Sequence, residues 1–262
     1  MYNELFQIIQ STSNENNAML SPRVIYNGFY LLNLLLFWFK NREYFIVNSD
    51  LDRKICQAFK LEDDKAGCYT HATLETPFKT RKKGERDPLA ESGALVSGVV
   101  GHFSVLQGKK REQAILNPDA SQFIVLETTL NKTLKKGPKR IPYYHQIAKD
   151  IGCMLKALSR LDNPFLENLG LFVIAPKELL KLDSFKSYTY KKNIEELMHK
   201  RAQEYGQEET QDYLLLFDRL FPRFIVDCLS YEDIIRFIRK NDNDYGERVD
   251  KFYKICMNYH GI

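Results

Sequence analysis

Apolar residues recur at three and four positions through the run Val24 to Phe39 and again from Leu51 to Phe59, the spacing that turns one side of a helix towards a core. A short helix near Leu5, a polar break from Ser11 to Asn17 and a helix opening near Pro22 complete a helical region over residues 1–60. From Glu62 to Pro88 the periodicity fades into a long polar loop with room for a short strand near Tyr69 to Ala72. The pattern then changes. Val96 to Leu106 and Phe123 to Leu126 are rich in β-branched and aromatic residues and are bounded by the turn sequences Gly108-Lys109-Lys110-Arg111 and Asn117-Pro118-Asp119. Tyr143 to Leu158 places Ile147, Ile151, Met154, Leu155 and Leu158 on one helical face, and a strand at Leu171 to Ala175 follows. Strand, helix, strand in that order predicts a right-handed crossover with Phe123 to Leu126 and Leu171 to Ala175 as parallel neighbours. Helices at Lys192 to Tyr205 and Glu208 to Leu220, a strand at Phe224 to Cys228 and two closing helices complete the chain, the first of these opening at Ser230 with Asp233 three residues on. Residues 61–262 therefore predict an α/β domain with a central mixed sheet flanked by helices, forming one compact unit with the N-terminal helical region.

Composition narrows this only slightly. At 262 residues, 44% hydrophobic and 27% charged, the chain is long enough for one sizeable α/β domain with decorations. A net charge of +4 is too small to mark a nucleic-acid binder by itself, so clustering decides. Positive charge collects at Lys79 to Arg86, at Lys109, Lys110 and Arg111, and in the loop Asn131 to Arg140 with Lys132, Lys135, Lys136, Lys139 and Arg140. Singly, each reads as a solvated loop; together they flank the middle of the chain. Five widely spaced cysteines without a CxxC pair indicate neither a disulfide framework nor a zinc finger, which suits a reducing cytoplasm. The run Val24 to Phe39 is shorter than the roughly 20 residues that cross a bilayer and is interrupted by Asn27, Gly28 and Asn33, so it reads as a buried helix. No membrane association is expected, and the amino terminus lacks the pattern of a secretion signal.

Chemistry concentrates in Pro118-Asp119-Ala120-Ser121-Gln122-Phe123-Ile124-Val125-Leu126-Glu127-Thr128-Thr129, an acidic turn leading into an apolar strand that ends on a carboxylate. Phosphodiester hydrolysis by a bound divalent metal needs oxygen ligands that leave sites for water and phosphate, and two or three carboxylates provide them. The stretch resembles the PD-(D/E)xK, restriction-endonuclease-like nuclease superfamily, whose motif is a Pro-Asp on one strand followed by an acid, any residue and lysine on the next. Pro118-Asp119 matches the first half and Glu127 the second. The lysine-rich loop and Gln146, near the start of the next helix, resemble the elements that follow the catalytic strand in that family.

What the resemblance implies is a restriction-endonuclease-like core. Asp119, Glu127 and Glu91 would hold Mg2+, with Mn2+ as an alternative; Gln146 would support the site, and Lys149 would contact phosphate. DNA or RNA would lie along Lys109, Lys110, Arg111, Lys135, Lys136, Lys139 and Arg140, giving salt-dependent, sequence-blind affinity. A host-defence or mobile-element setting is usual for such chains. Thr129 departs from the pattern, since it stands where the lysine belongs and a neutral hydroxyl supplies no positive charge to the developing phosphorane. Either Lys132 or Lys149 replaces it, or the substitution is engineered, or the chain is a silent relative that binds nucleic acid or a subunit. Glu91 reads equally as a first-turn acid complementing a helix dipole, with Asp87 competing for its role. Asp119 reads also as part of an ordinary Asn-Pro-Asp turn. The N-terminal helices remain a candidate surface for a protein partner or a second copy of the chain.

Overall fold

The computed structural model describes residues 25–79, 87–107, 111–132, 134–137, 140–206 and 209–261. The helix expected near Leu5, the opening at Pro22, the cluster 80–86 and Lys109, Lys110 and Lys139 lie outside them.

Helix α1 (Gly28–Lys40) opens where the Asn27 side chain accepts the N–H groups of Phe29 and Tyr30 at 3.0 and 3.1 Å. Helix α2 (Asp50–Phe59) is capped by Ser49 and carries Asp50 and Asp52 in its first turn, where acids suit the helix dipole. The strands β1 (Gly67–Thr70), β2 (Thr73–Leu74), β3 (Ala94–Leu95), β4 (Gly98–Gly101), β5 (Phe103–Leu106), β6 (Gln113–Leu116) and β7 (Gln122–Thr128) follow. After them come α3 (Gln146–Leu158), β8 (Asn168–Ala175), α4 (Lys177–Leu180), α5 (Asp183–Thr189), α6 (Lys191–Tyr205), α7 (Glu209–Leu220), β9 (Ile225–Ser230), α8 (Tyr231–Asn241) and α9 (Asn243–Tyr259).

Five strands form a mixed sheet in the order β1-β4-β7-β8-β9, and four short ones form a second sheet, β3-β2-β6-β5. In the main sheet β1, β4 and β7 pair antiparallel, while β7, β8 and β9 run parallel, with Phe123 opposite Leu169 and Val125 opposite Leu171. Helix α3 makes the crossover between β7 and β8 that strand-helix-strand order predicts.

Alternation along β7 divides the core in two. Phe123 and Val125 face the side packed by α3, α6 and the second sheet, whereas Ile124 and Leu126 face α1, α2, α8 and α9. The apolar side chains of α1, among them Leu31, Leu32, Leu35, Trp38 and Phe39, are buried in this second cluster, so the N-terminal helices are one layer of the fold. Among the described residues no helix is long and apolar enough to cross a membrane. All five cysteines are free.

Three local expectations need correction. Val96 to Leu106 is not one strand: Gly101 takes φ +132°, a conformation side chains rarely adopt, and there the chain leaves the main sheet as β4 and enters the second as β5. A Cβ on Gly101 would come 2.1 Å from the carbonyl oxygen of Gln122, so glycine alone permits this exchange. Glu91 lies on no helix; Asp87 starts a turn, accepting the Leu89 N–H at 3.0 Å, and the chain then runs irregularly into β3. Helix α3 begins at Gln146, three residues later than its apolar pattern suggests, because His145 caps it by accepting the Ala148 N–H at 3.3 Å.

Candidate functional site: a buried carboxylate cluster

Glu127 is the penultimate residue of β7, on the α3 side by alternation, and only 3% exposed. Because Gly98 pairs with Leu126, the residue before β4 lies opposite Glu127. That residue is Ser97. Its N–H reaches Glu127 Oε1 at 3.3 Å and its hydroxyl donates to Oε2 at 3.1 Å. From the first turn of α3, Gln146 Nε2 donates to the same Oε2 at 2.6 Å. One carboxylate thus ties together β4, β7 and α3.

Asp150 sits one helical turn beyond Gln146, is 2% exposed, and its Oδ2 has no hydrogen-bond partner. Glu91 accepts from Thr76 Oγ1 at 2.6 Å through Oε1, while its Oε2, shut off from solvent, has no partner. Asp150 is the acid on which the charges of the other two bear. Burial pushes the Glu127 carboxyl up to about 7, against the opposing pull of Ser97, Lys135 and Gln146. Burial also raises Asp150 far above the usual carboxylate range, and the charges of Glu127 and Glu91 add to this. Burial raises Glu91 as well, opposed by the Thr76 bond and the charges of Lys149 and Arg201.

Two lysines flank the cluster. Lys149 bears on Asp150 and Glu91, and Lys135 on Glu127 and Asp150. The exposed Lys135 stands on a fixed mount. Its N–H reaches Gln146 Oε1 at 3.4 Å, its carbonyl accepts the Gln146 N–H at 3.0 Å, and the preceding Leu134 is buried. Gly137 presses the same loop onto the start of α3, where a Cβ would lie 1.9 Å from the Ile141 carbonyl oxygen.

The remaining sequence candidates are dispersed. Asp119 is exposed, 3.5 Å from Lys65, and precedes β7; five residue steps along the strand separate Gln122 from Glu127, about 17 Å at the rise of a strand. The structure therefore does not bring Asp119 together with Glu127. Thr129 continues the pairing of β7 with β8 through its N–H, and its hydroxyl donates to the Lys132 carbonyl at 2.9 Å while accepting the Lys132 N–H at 3.1 Å. That closed turn occupies the hydroxyl and the Lys132 backbone alike. Lys132, Lys136 and Arg140 are exposed. Arg111 lines an open cleft of about 830 Å³ with Ser92, Gly93 and Arg160, next to the segment that carries Glu91. His102, given no chemistry by its sequence context, joins Asp63 at 2.9 Å to the N–H of Gln122 at 3.2 Å and so braces the start of β7.

Sequence reasoning missed Asp150 and Ser97. Asp150 had a signal: it falls between Ile147, Ile151 and Met154, an acid inside an otherwise apolar stripe. Ser97 had none, since only the β4–β7 register brings it to Glu127.

An all-oxygen set of carboxylates suits a hard divalent cation, and the two orphaned oxygens are groups that such an ion would satisfy. The ligand atoms of these three acids do not all lie within 4.8 Å of one another, so side-chain movement would have to accompany ion binding. Among the described residues, the group that meets this distance is Glu195, His199 and Asp218, largely exposed on α6 and α7. No protein-family profile, curated protein or solved structure matches the chain, so the site is read from its own geometry.

Proposed function

We propose that this chain is a divalent-metal-dependent nuclease of the restriction-endonuclease-like kind, with Glu127, Asp150 and Glu91 as the metal ligands. The observation that carries the reading is the convergence of three acids from three segments, Asp150 repelled by Glu127 and Glu91, with buried, unpartnered oxygens on Asp150 and Glu91. A buried acid costs stability unless paired, and three together are retained most economically around a cation. The element order supports the same reading: a central strand ending on Glu127, a basic loop, a Gln-bearing helix and a parallel strand.

Bound Mg2+ or Mn2+ would neutralise charge on the scissile phosphate and acidify a coordinated water. The chain's own residues do the rest. Ser97 and Gln146 fix Glu127, and Gln146 also fixes the loop that presents Lys135. Lys135 and Lys149 bring positive charge to either side of the acids, where a phosphodiester of DNA or RNA would lie, and Lys136 and Arg140 extend that surface.

A second reading, a silent nuclease-like module that binds nucleic acid without cutting it, is favoured by Ser97 opposite Glu127 and by the Thr129 hydroxyl closed into its own turn. Incubating the protein with single- and double-stranded DNA and RNA in Mg2+, then Mn2+, separates the two. Cleavage that disappears in Glu127→Ala and Asp150→Asn supports the enzyme. Salt-sensitive binding without cleavage supports the silent module. Calorimetric Mn2+ binding that is unchanged in both variants refutes the metal site itself.

A further inference from the structure

The proposed cation site leaves one buried charge unused. Arg201, on α6, is fully buried, and its guanidinium lies 4.3 Å from the ring centre of Phe78, 5.5 Å from that of Tyr205 and 5.6 Å from that of Tyr144. The weakly hydrated, planar guanidinium is the cation best suited to such a box. Aromatic faces alone do not satisfy it. One terminal nitrogen donates to the carbonyl of Leu89, while Nε and the other terminal nitrogen have no partner. Two residues beyond Leu89 stands Glu91, whose Oε2 is likewise without a partner.

Leu89 and Glu91 belong to the same irregular stretch between Asp87 and β3, which has no helix or strand of its own to hold it. Its fastenings are the Arg201 bond to Leu89, the Glu91 N–H to the Phe78 carbonyl at 2.9 Å and the Thr76 bond to the Glu91 carboxylate. Phe78 is itself the ring beneath the guanidinium. One side chain from α6 therefore touches both strands of the fastening.

We propose that Arg201 is a positioning residue for the acid cluster: by donating to the Leu89 carbonyl and packing on Phe78 it fixes the segment that presents Glu91. This inference rests on the cation-site reading above. A core arginine with a packing role alone would affect folding and leave Mn2+ affinity unchanged in the variants that fold.

The test compares Arg201→Met and Arg201→Lys with the unmutated protein, with Mn2+ affinity measured by calorimetry on the full chain and stability by urea unfolding in EDTA. Arg201→Met is expected to weaken Mn2+ binding about 10-fold or more, as loss of a ligand-orienting partner does, and Arg201→Lys to restore part of it. Should Arg201→Met fail to fold, Arg201→Lys decides, since loss of the planar guanidinium over Phe78 is expected to weaken Mn2+ binding while the chain stays folded. Unchanged Mn2+ affinity in Arg201→Met, or in Arg201→Lys where Arg201→Met does not fold, overturns the role of Arg201 and leaves the cation site standing. Absence of Mn2+ binding by the unmutated protein overturns the cation-site reading, and with it the positioning role.

Discussion

Replacing Glu127 by glutamine keeps the side-chain shape and removes its charge, so the effect on stability reports directly on the buried cluster. The folded carboxyl titrates at about 7 against an ordinary value of 4.5, because burial disfavours its charged form. A group raised in this way contributes stability that is fully present below its unfolded pKa and is lost as pH rises through its folded one. Between pH 5 and pH 8 in EDTA, the unmutated protein is therefore expected to lose on the order of 3 kcal/mol from Glu127, at about 1.4 kcal/mol per pKa unit. Glutamine cannot accept at both positions, so the variant forfeits the 3.3 Å contact from the Ser97 N–H, a cost of about 1 kcal/mol. The net expectation is a variant more stable than the parent by about 2 kcal/mol at pH 8 and no more stable at pH 5. Urea unfolding at the two pH values measures this. Mn2+ should reverse the order at pH 8, since only the parent gains from the ion. A parent whose stability is flat between pH 5 and 8, or a glutamine variant less stable than the parent at pH 8 in EDTA, would refute the account of Glu127 as a desolvated, repelled acid.

Other outcomes follow from the same geometry. Gln146→Ala removes a donor from Glu127 and an acceptor from the Lys135 N–H, so urea unfolding should show a loss of about 1–3 kcal/mol. Asp150→Asn should weaken Mn2+ binding in calorimetry at least about 10-fold while stabilising the metal-free chain at pH 8, the direction set by its raised pKa. Gly101→Ala should cost about 2 kcal/mol or more in thermal or urea unfolding, because φ +132° and a contact of 2.1 Å to the Gln122 oxygen admit no Cβ. Asp119→Ala, changing an exposed turn acid paired with Lys65, should stay within about 0.5 kcal/mol and leave Mn2+ affinity untouched.

Much of the local structure was legible because its causes are local. The apolar spacing of Leu31, Leu35 and Trp38 marks α1, although its start at Asn27 is set by a cap and not by the apolar run. Ser230 capping α8 by accepting the Asp233 N–H at 3.0 Å is a three-residue event, readable from Ser and Asp alone. The α3 crossover follows from element order and from the handedness of twisted strands. Where a non-local contact decides, reading fails. The residues from Val96 to Leu106 look like one strand, and only the approach of Gln122 to Gly101 shows why the chain changes sheets there.

The same division runs through the candidate site. The sequence by itself determined that β7 is an apolar strand closing on Glu127 and that a basic loop and Gln146 follow within twenty residues, since these are neighbours along the chain. The tertiary structure alone decided which acids share a site. Asp119, nearest to Glu127 in sequence, is held away by the length of an extended strand. Glu91, distant in sequence, is brought in by the fastening of an irregular segment on Thr76 and Phe78, and Asp150, hidden in an apolar stripe, by helix packing. Carboxylates interact through space over a few ångströms, and along a strand those few ångströms are used up in two residues.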